Sequence, residues 1–180
     1  MTTRIDPVHP AHAQGRAWEL LNGVKAQMGK VPNALKTMAQ SPALLDGYLA
    51  LGGALRNGVL ATIVREQIAL YVAQSNGCEY CLSAHSLSGK HAGLTPQQII
   101  AARMGEADDP KAQAVLQLVK NLMERRGDLS DEQVAAARQA GLSDAKLGEV
   151  VGNVALNTLT NYLNQLARTK VDFPRVAVKV

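Results

Sequence analysis

A chain of 180 residues with 47 % apolar residues and a net charge of +4 can bury a core of its own. Its lysines and arginines are dispersed and only 3 % of its residues are aromatic, so it lacks the basic stripe and stacking surface of a nucleic-acid binder. The apolar residues are scattered: Asp46, Gly52, Gly53, Arg56 and Asn57 interrupt the richest stretch, and no run approaches the roughly 18–20 residues of a membrane span. The opening Met1-Thr2-Thr3-Arg4 has no apolar signal run. With only two cysteines besides, a reducing cytoplasmic setting is expected, where a close cysteine pair is seldom structural.

In chain order the signals are helical throughout. Helices are expected over 12–28, 33–39, 42–56, 62–76, 79–91, 96–104, 110–126, 131–140 and 144–168, the last open to a break. Ser41-Pro42 and Thr95-Pro96 each place an N-cap hydroxyl before a proline at the first helical position. Thr95 with Gln98, and Ser130 with Gln133, fit the capping box. Asn57-Gly58, Gly77, Gly93, Gly127 and Gly141 fall where helices should stop. No segment alternates as a strand does, so the fold class is all-α.

Ala92-Gly93-Leu94-Thr95 recurs as Ala140-Gly141-Leu142-Ser143, an echo that internal duplication explains and that recurring cap signals also produce. The expected organisation is one domain over 1–180, with its core motif at 55–95 and a candidate second half-repeat at 110–168. Helix 62–76 is apolar nearly all round, through Ile63, Val64, Ile68, Ala69, Leu70, Tyr71, Val72 and Ala73, which marks a buried helix. Glu66 on that helix sits either paired in a cleft or on the surface beside Arg65, and the spacing leaves both open.

The two cysteines stand in Cys78-Glu79-Tyr80-Cys81-Leu82-Ser83-Ala84-His85. Two thiols so close form only a small ring, whose closure removes little chain entropy, so their value is redox rather than structural. If Cys78 opens the helix, then Cys78, Cys81, His85 and Ser88 share one face, and both thiols lie where free backbone N–H groups stabilise a thiolate. His85 is one turn from Cys81 and suited to exchange its proton. A zinc site would recruit His91, which lies off that face, and haem attachment would need histidine where Leu82 stands, so no metal and no cofactor is expected. Tyr71 and Tyr80 read as packing residues, and His9 and His12 as solvated.

The combination Arg65-Glu66, Cys78-x-x-Cys81-x-x-x-His85 and Ala92-Gly93-Leu94 resembles the alkylhydroperoxidase D core of the carboxymuconolactone decarboxylase-like superfamily. Val31-Pro32-Asn33, Ser41-Pro42-Ala43-Leu44-Leu45 and Asn161-Tyr162-Leu163-Asn164 resemble its peroxidase-related branch. The resemblance implies an all-α fold assembled as a homotrimer or homohexamer. It further implies a hydroperoxide substrate, an unspecified dithiol reductant, and a catalytic set of Glu66, Cys78, Cys81 and His85 acting as thiols and proton relay. By family analogy Cys81 attacks and Cys78 resolves, whereas the helix dipole alone favours Cys78 as attacker. Where the characterised peroxidase has a further histidine, this chain has Tyr80. Superfamily members that decarboxylate lactones lack the cysteine pair, so that activity is disfavoured. The expected activity is thiol-dependent hydroperoxide or disulfide reduction. The alternative is a non-redox, small-molecule-binding member of the superfamily whose cysteines take no part in turnover.

Overall fold

A computed structural model describes residues 2–179, which among themselves form nine α-helices and one 3₁₀ turn and no strand. The helices are α1 (Gly15–Met28), α2 (Asn33–Met38), α3 (Pro42–Arg56), α4 (Thr62–Ser75), α5 (Glu79–His91), α6 (Pro96–Arg103), α7 (Pro110–Arg125), α8 (Asp131–Gln139) and α9 (Asp144–Ala167). Every expected helix forms, and the caps fall where the sequence puts them. Ser41, Thr95, Ser130 and Ser143 each accept a backbone N–H of the first turn, and the Thr95 and Ser130 capping boxes both close.

Two details differ from expectation. The first helix starts at Gly15 rather than at 12, because Pro10–His12 form a separate 3₁₀ turn capped by His9, and Ala13 is extended. The last helix is unbroken across Gly148 and Gly152. A Cβ on Gly152 would stand 3.2 Å from Leu55 Cδ2, so this glycine permits α9 to press closely on α3 rather than interrupting it.

Two apolar clusters share α9. On one side Ile68, Val72, Val119 and Val150 join α4, α7 and α9. On the other, Leu21, Met38 and Leu45 join α1, α2 and α3, with Leu159 and Leu163 of α9 against them. Helix α4 lies at the centre, packed by α5, α6, α7 and α9. Ile68, Leu70, Val72 and Ala73 are fully buried, as the apolar circumference predicts, while Ile63 in its first turn is exposed. The 92–95 and 140–143 echo is real at the level of local geometry. Gly93 and Gly141 both take positive φ, and Leu94 and Leu142 bond back to the carbonyls of Gly89 and Ala137 and are buried.

After α9 the chain runs back without regular structure along α5. Val171, Phe173, Val176 and Val178 pack over Tyr80, Cys81 and Leu82. Arg103, nearly buried, fixes this segment by donating to the carbonyls of Ala177 and Val178 and to Gln74 Oε1. The Val176 N–H donates to Ser83 Oγ. The tail is thereby a wall of the cysteine site.

Candidate active site

The cysteine pair is placed by a three-residue connection between two central helices. Gly77, at φ 67°, ends α4, and the Cys78 N–H closes that end on the Ala73 carbonyl at 2.9 Å. Cys78 is itself extended and serves as the N-cap of α5, its Sγ accepting the Cys81 N–H at 3.2 Å. Helix α9 holds the connection from below: Asn161 Oδ1 accepts from Asn76 Nδ2, and Gln165 Nε2 donates to the Asn76 carbonyl. Cys78 and Cys81 form a disulfide with their Cα atoms 5.3 Å apart, and both residues are buried.

Each sulfur has its own N–H donor. That of Cys78 is the backbone at the start of α5, and that of Cys81 is Asn164 Nδ2 on α9, at 3.4 Å. Once the pair is reduced, a thiolate on Cys81 would keep the Asn164 donor as a charge-assisted bond. Asn164 was legible in the sequence only as part of Asn161-Tyr162-Leu163-Asn164; no spacing rule ties it to a cysteine 83 positions earlier.

Glu66 and His85 meet across the packed pair α4 and α5, with Oε2 2.8 Å from Nδ1 and both side chains largely buried. Of the two readings of Glu66, the paired one holds. Arg65 turns the other way, donating to the Leu60 carbonyl and to Thr62 Oγ1, where it braces the start of α4. With Glu66 ionised, the network assigns the proton to Nδ1 and leaves Nε2 free as the basic nitrogen.

A cavity of about 400 Å³ lies beside this set, lined by Cys81, His85 and Ser88 of α5, Thr160 and Asn164 of α9, and the tail residue Phe173. Its other wall is mainly apolar, from Met28, Leu35, Met38 and Leu49, with Tyr48 and Arg56 among them. Burial raises the Tyr48 hydroxyl above the ordinary tyrosine range, so it remains a neutral donor. Cys78 is not part of this cavity. The expectation that Cys78, Cys81, His85 and Ser88 share one face holds for the last three. Cys78 departs because a capping residue is outside the helix, and it opens instead onto a separate groove. Among the described residues no three side chains of His, Cys, Asp and Glu come together as a metal-holding group.

Tyr80 stands in a structural position. Its hydroxyl donates to Asp172 Oδ1 at 2.8 Å and accepts the Ala34 N–H at 3.0 Å, tying α5 to the tail and to α2. Burial first, and the Asp172 carboxylate after it, push its pKa far above the ordinary tyrosine range. The sign for stability follows directly. The folded protein prefers the neutral phenol, so this contribution is complete below pH 10 and is lost as pH rises beyond it. Tyr80→Phe is therefore expected to cost about 1–3 kcal/mol at neutral pH through the unpaired Ala34 N–H. It should also weaken the alkaline fall in stability, measured by denaturant unfolding from pH 8 to 11. An unchanged alkaline slope would contradict this assignment.

The helical bundle thus brings a disulfide-forming pair at a helix start together with a glutamate–histidine pair one turn on. Residues 42–121 match the carboxymuconolactone decarboxylase family. Over 111 residues, 60 % of this chain, the sequence is 31 % identical to an alkyl hydroperoxide reductase of Mycobacterium tuberculosis, and the match spans only 32 % of that relative's length. The fold superposes on the alkylhydroperoxidase D core of a peroxidase-related protein from Ralstonia eutropha with a TM-score of 0.84, at 20 % identity over 94 % of this chain and 92 % of that one. It also superposes on a debrominase in complex with 2,3,4-tribromopyrrole, with a TM-score of 0.78 at 19 % identity over 96 % and 93 % of the two chains. Residues 42–121 are thus similar to the carboxymuconolactone decarboxylase family, and the fold is that of alkylhydroperoxidase D-like structures.

Proposed function

We propose that this protein reduces organic hydroperoxides with Cys81 as the attacking thiolate, Cys78 as the resolving thiol, and Glu66–His85 as the proton relay. The observation that carries this reading is that Cys81 and His85 line one apolar cavity while Glu66 holds the far nitrogen of the imidazole. In the reduced protein, His85 Nε2 takes the Cys81 proton. The thiolate attacks the outer peroxide oxygen and the O–O bond breaks. Cys81 becomes a sulfenic acid, and the alkoxide leaves as an alcohol with the proton returned by His85. Cys78 then attacks the Cys81 sulfur, water leaves, and the disulfide forms. A dithiol donor restores both thiols, so one hydroperoxide and one dithiol give alcohol, water and a disulfide.

An apolar lining favours an alkyl or aryl hydroperoxide over hydrogen peroxide, because the organic group gains burial that water-like substrates do not. Tyr80 takes no proton-transfer role in this scheme, since its hydroxyl is engaged on both sides. The test is steady-state turnover of cumene hydroperoxide and hydrogen peroxide with several dithiol donors. Faster turnover of the organic substrate is expected, and consumption of neither would end the proposal.

The same reading treats the chain as one catalytic unit assembled as a homotrimer or homohexamer. Val151, Tyr162 and Leu166 recur at helical spacing on the outer face of α9 and are each more than half exposed, beside a groove formed with Leu122 and Met123. Covering such a stripe with a symmetry-related copy is the usual outcome. Light scattering coupled to gel filtration should give three or six times the 19.1 kDa chain mass; a mass of one chain at micromolar concentration would refute the assembly.

A further inference from the structure

The disulfide has two sides of different chemistry. Cys81 faces the apolar cavity described above. Cys78 lines a groove of about 830 Å³ whose charged residues are Arg168, Lys170, Arg175 and Glu79. Arg175 is paired with Glu79 at 3.2 Å, whereas Arg168 and Lys170, both exposed, have no carboxylate partner among the described residues. The groove thus carries an excess of two positive charges next to Cys78. Two polar atoms without a hydrogen-bond partner belong to its lining residues: Thr169 Oγ1, and Oδ1 of the nearly buried Asn164. Asn164 also lines the Cys81 cavity, and its amide donates to Cys81 Sγ, so it stands between the two compartments.

We propose that this groove is the binding site of the electron donor, a small thiol or dithiol carrying negative charge, and that the donor attacks Cys78. The proposal rests on the redox reading of the cysteine pair and supplies the site for its reductive half. A donor thiolate entering here forms a bond to Cys78 Sγ as the Cys78–Cys81 bond breaks, and the electron pair leaves on Cys81. The departing sulfur is the one beside Asn164 and His85, where a thiolate is stabilised and can be protonated. A second donor thiolate then attacks the donor sulfur of the mixed disulfide, releasing Cys78 as a thiol and the donor as its disulfide. Two electrons and two protons pass from donor to protein. The hydroperoxide, meeting the reduced pair through Cys81, and the donor, meeting the disulfide through Cys78, therefore use separate cavities and do not compete for one.

The experiment is stopped-flow reduction of the oxidised protein at low ionic strength by mercaptoacetate, mercaptoethanol and cysteamine, with rates expressed per thiolate. The expected order is anionic, then neutral, then cationic, spanning about tenfold from end to end and collapsing at high salt. Arg168→Gln with Lys170→Gln should flatten the order, and Arg168→Glu with Lys170→Glu should invert it, with circular dichroism verifying the fold of both. Quenching the wild-type reaction with N-ethylmaleimide and mapping the peptides should place the donor on Cys78 and the maleimide on Cys81. An order indifferent to these substitutions, or a donor adduct on Cys81, would overturn the proposal. Pre-reduced protein mixed with hydroperoxide tests the peroxidase reading by itself. Loss of that half-reaction with the charge order intact removes the hydroperoxide and leaves the donor site; the converse removes the donor site alone.

Discussion

Cys81→Ser should abolish hydroperoxide turnover, lowering it by about four orders of magnitude or more, because the serine hydroxyl does not ionise near neutral pH and no second thiol lines the cavity among the described residues. Cys78→Ser should behave differently. It retains the attacking sulfur, its Asn164 donor and the His85 base, so the first step proceeds at near the wild-type rate. What it loses is resolution, and with a dithiol donor its steady-state rate falls to that of direct reduction of a buried sulfenic acid. Neither substitution should unfold the protein: the disulfide closes so short a loop that chain entropy assigns it about 2 kcal/mol. Equal loss in both variants would contradict the division of roles, and persistent turnover in Cys81→Ser would contradict the site.

His85→Gln is expected to slow the first step by roughly 10²–10⁴-fold, the usual contribution of a positioned base. Its pH profile should also lose the limb that the imidazole base supplies, leaving the rise that ionisation of the Cys81 thiol itself produces. Glu66→Gln is a milder change. The amide oxygen can still accept from Nδ1–H and so hold the ring, but it cannot balance the charge of an imidazolium, and about tenfold is expected. Glu66→Leu should come closer to His85→Gln, because it removes both orientation and charge. These rates are read by stopped-flow oxidation of pre-reduced protein, which isolates chemistry from donor reduction. A Glu66→Gln variant slower than His85→Gln would show that the carboxylate acts on the thiol by another route.

Much of this was written locally in the chain. Helix starts are legible because Ser41, Thr95, Ser130 and Ser143 cap through their own side chains, and stops because Gly77, Gly93 and Gly141 adopt positive φ. Such signals involve residues within a single turn and so survive without knowledge of the tertiary fold. The Glu66–His85 pair lay between local and tertiary. Both residues belong to adjacent helices with a short connection, so their meeting required only that α4 and α5 fold back on each other. Cys78 depends on whether it is the first helical residue or the cap before it. Treated as helical it shared a face with Cys81, but as an N-cap it is extended and opens elsewhere.

Asn164 and Asp172 were out of reach. Asn164 meets Cys81 only because α9 crosses beneath the α4–α5 connection, and Asp172 meets Tyr80 only because an irregular tail returns along α5. Neither contact leaves a periodic trace. The buried polar stripe of Asn153, Asn157, Asn161 and Asn164 on α9 likewise reads in sequence as an ordinary amphipathic face. Its upper members bond to the helix's own carbonyls, with Asn153 donating to Glu149 and Asn157 to Asn153, while its lower members serve the cysteine site.

The central claim is that Cys81 is the sulfur that takes oxygen from the hydroperoxide. The most direct measurement is intact-protein and peptide mass spectrometry of pre-reduced Cys78→Ser after brief exposure to one equivalent of cumene hydroperoxide, with dimedone added as a sulfenic-acid trap. A dimedone adduct on Cys81, formed as hydroperoxide is consumed, is the predicted result. Consumption without modification at Cys81, or an adduct that appears instead on Cys78 of the Cys81→Ser protein at the same rate, would contradict it.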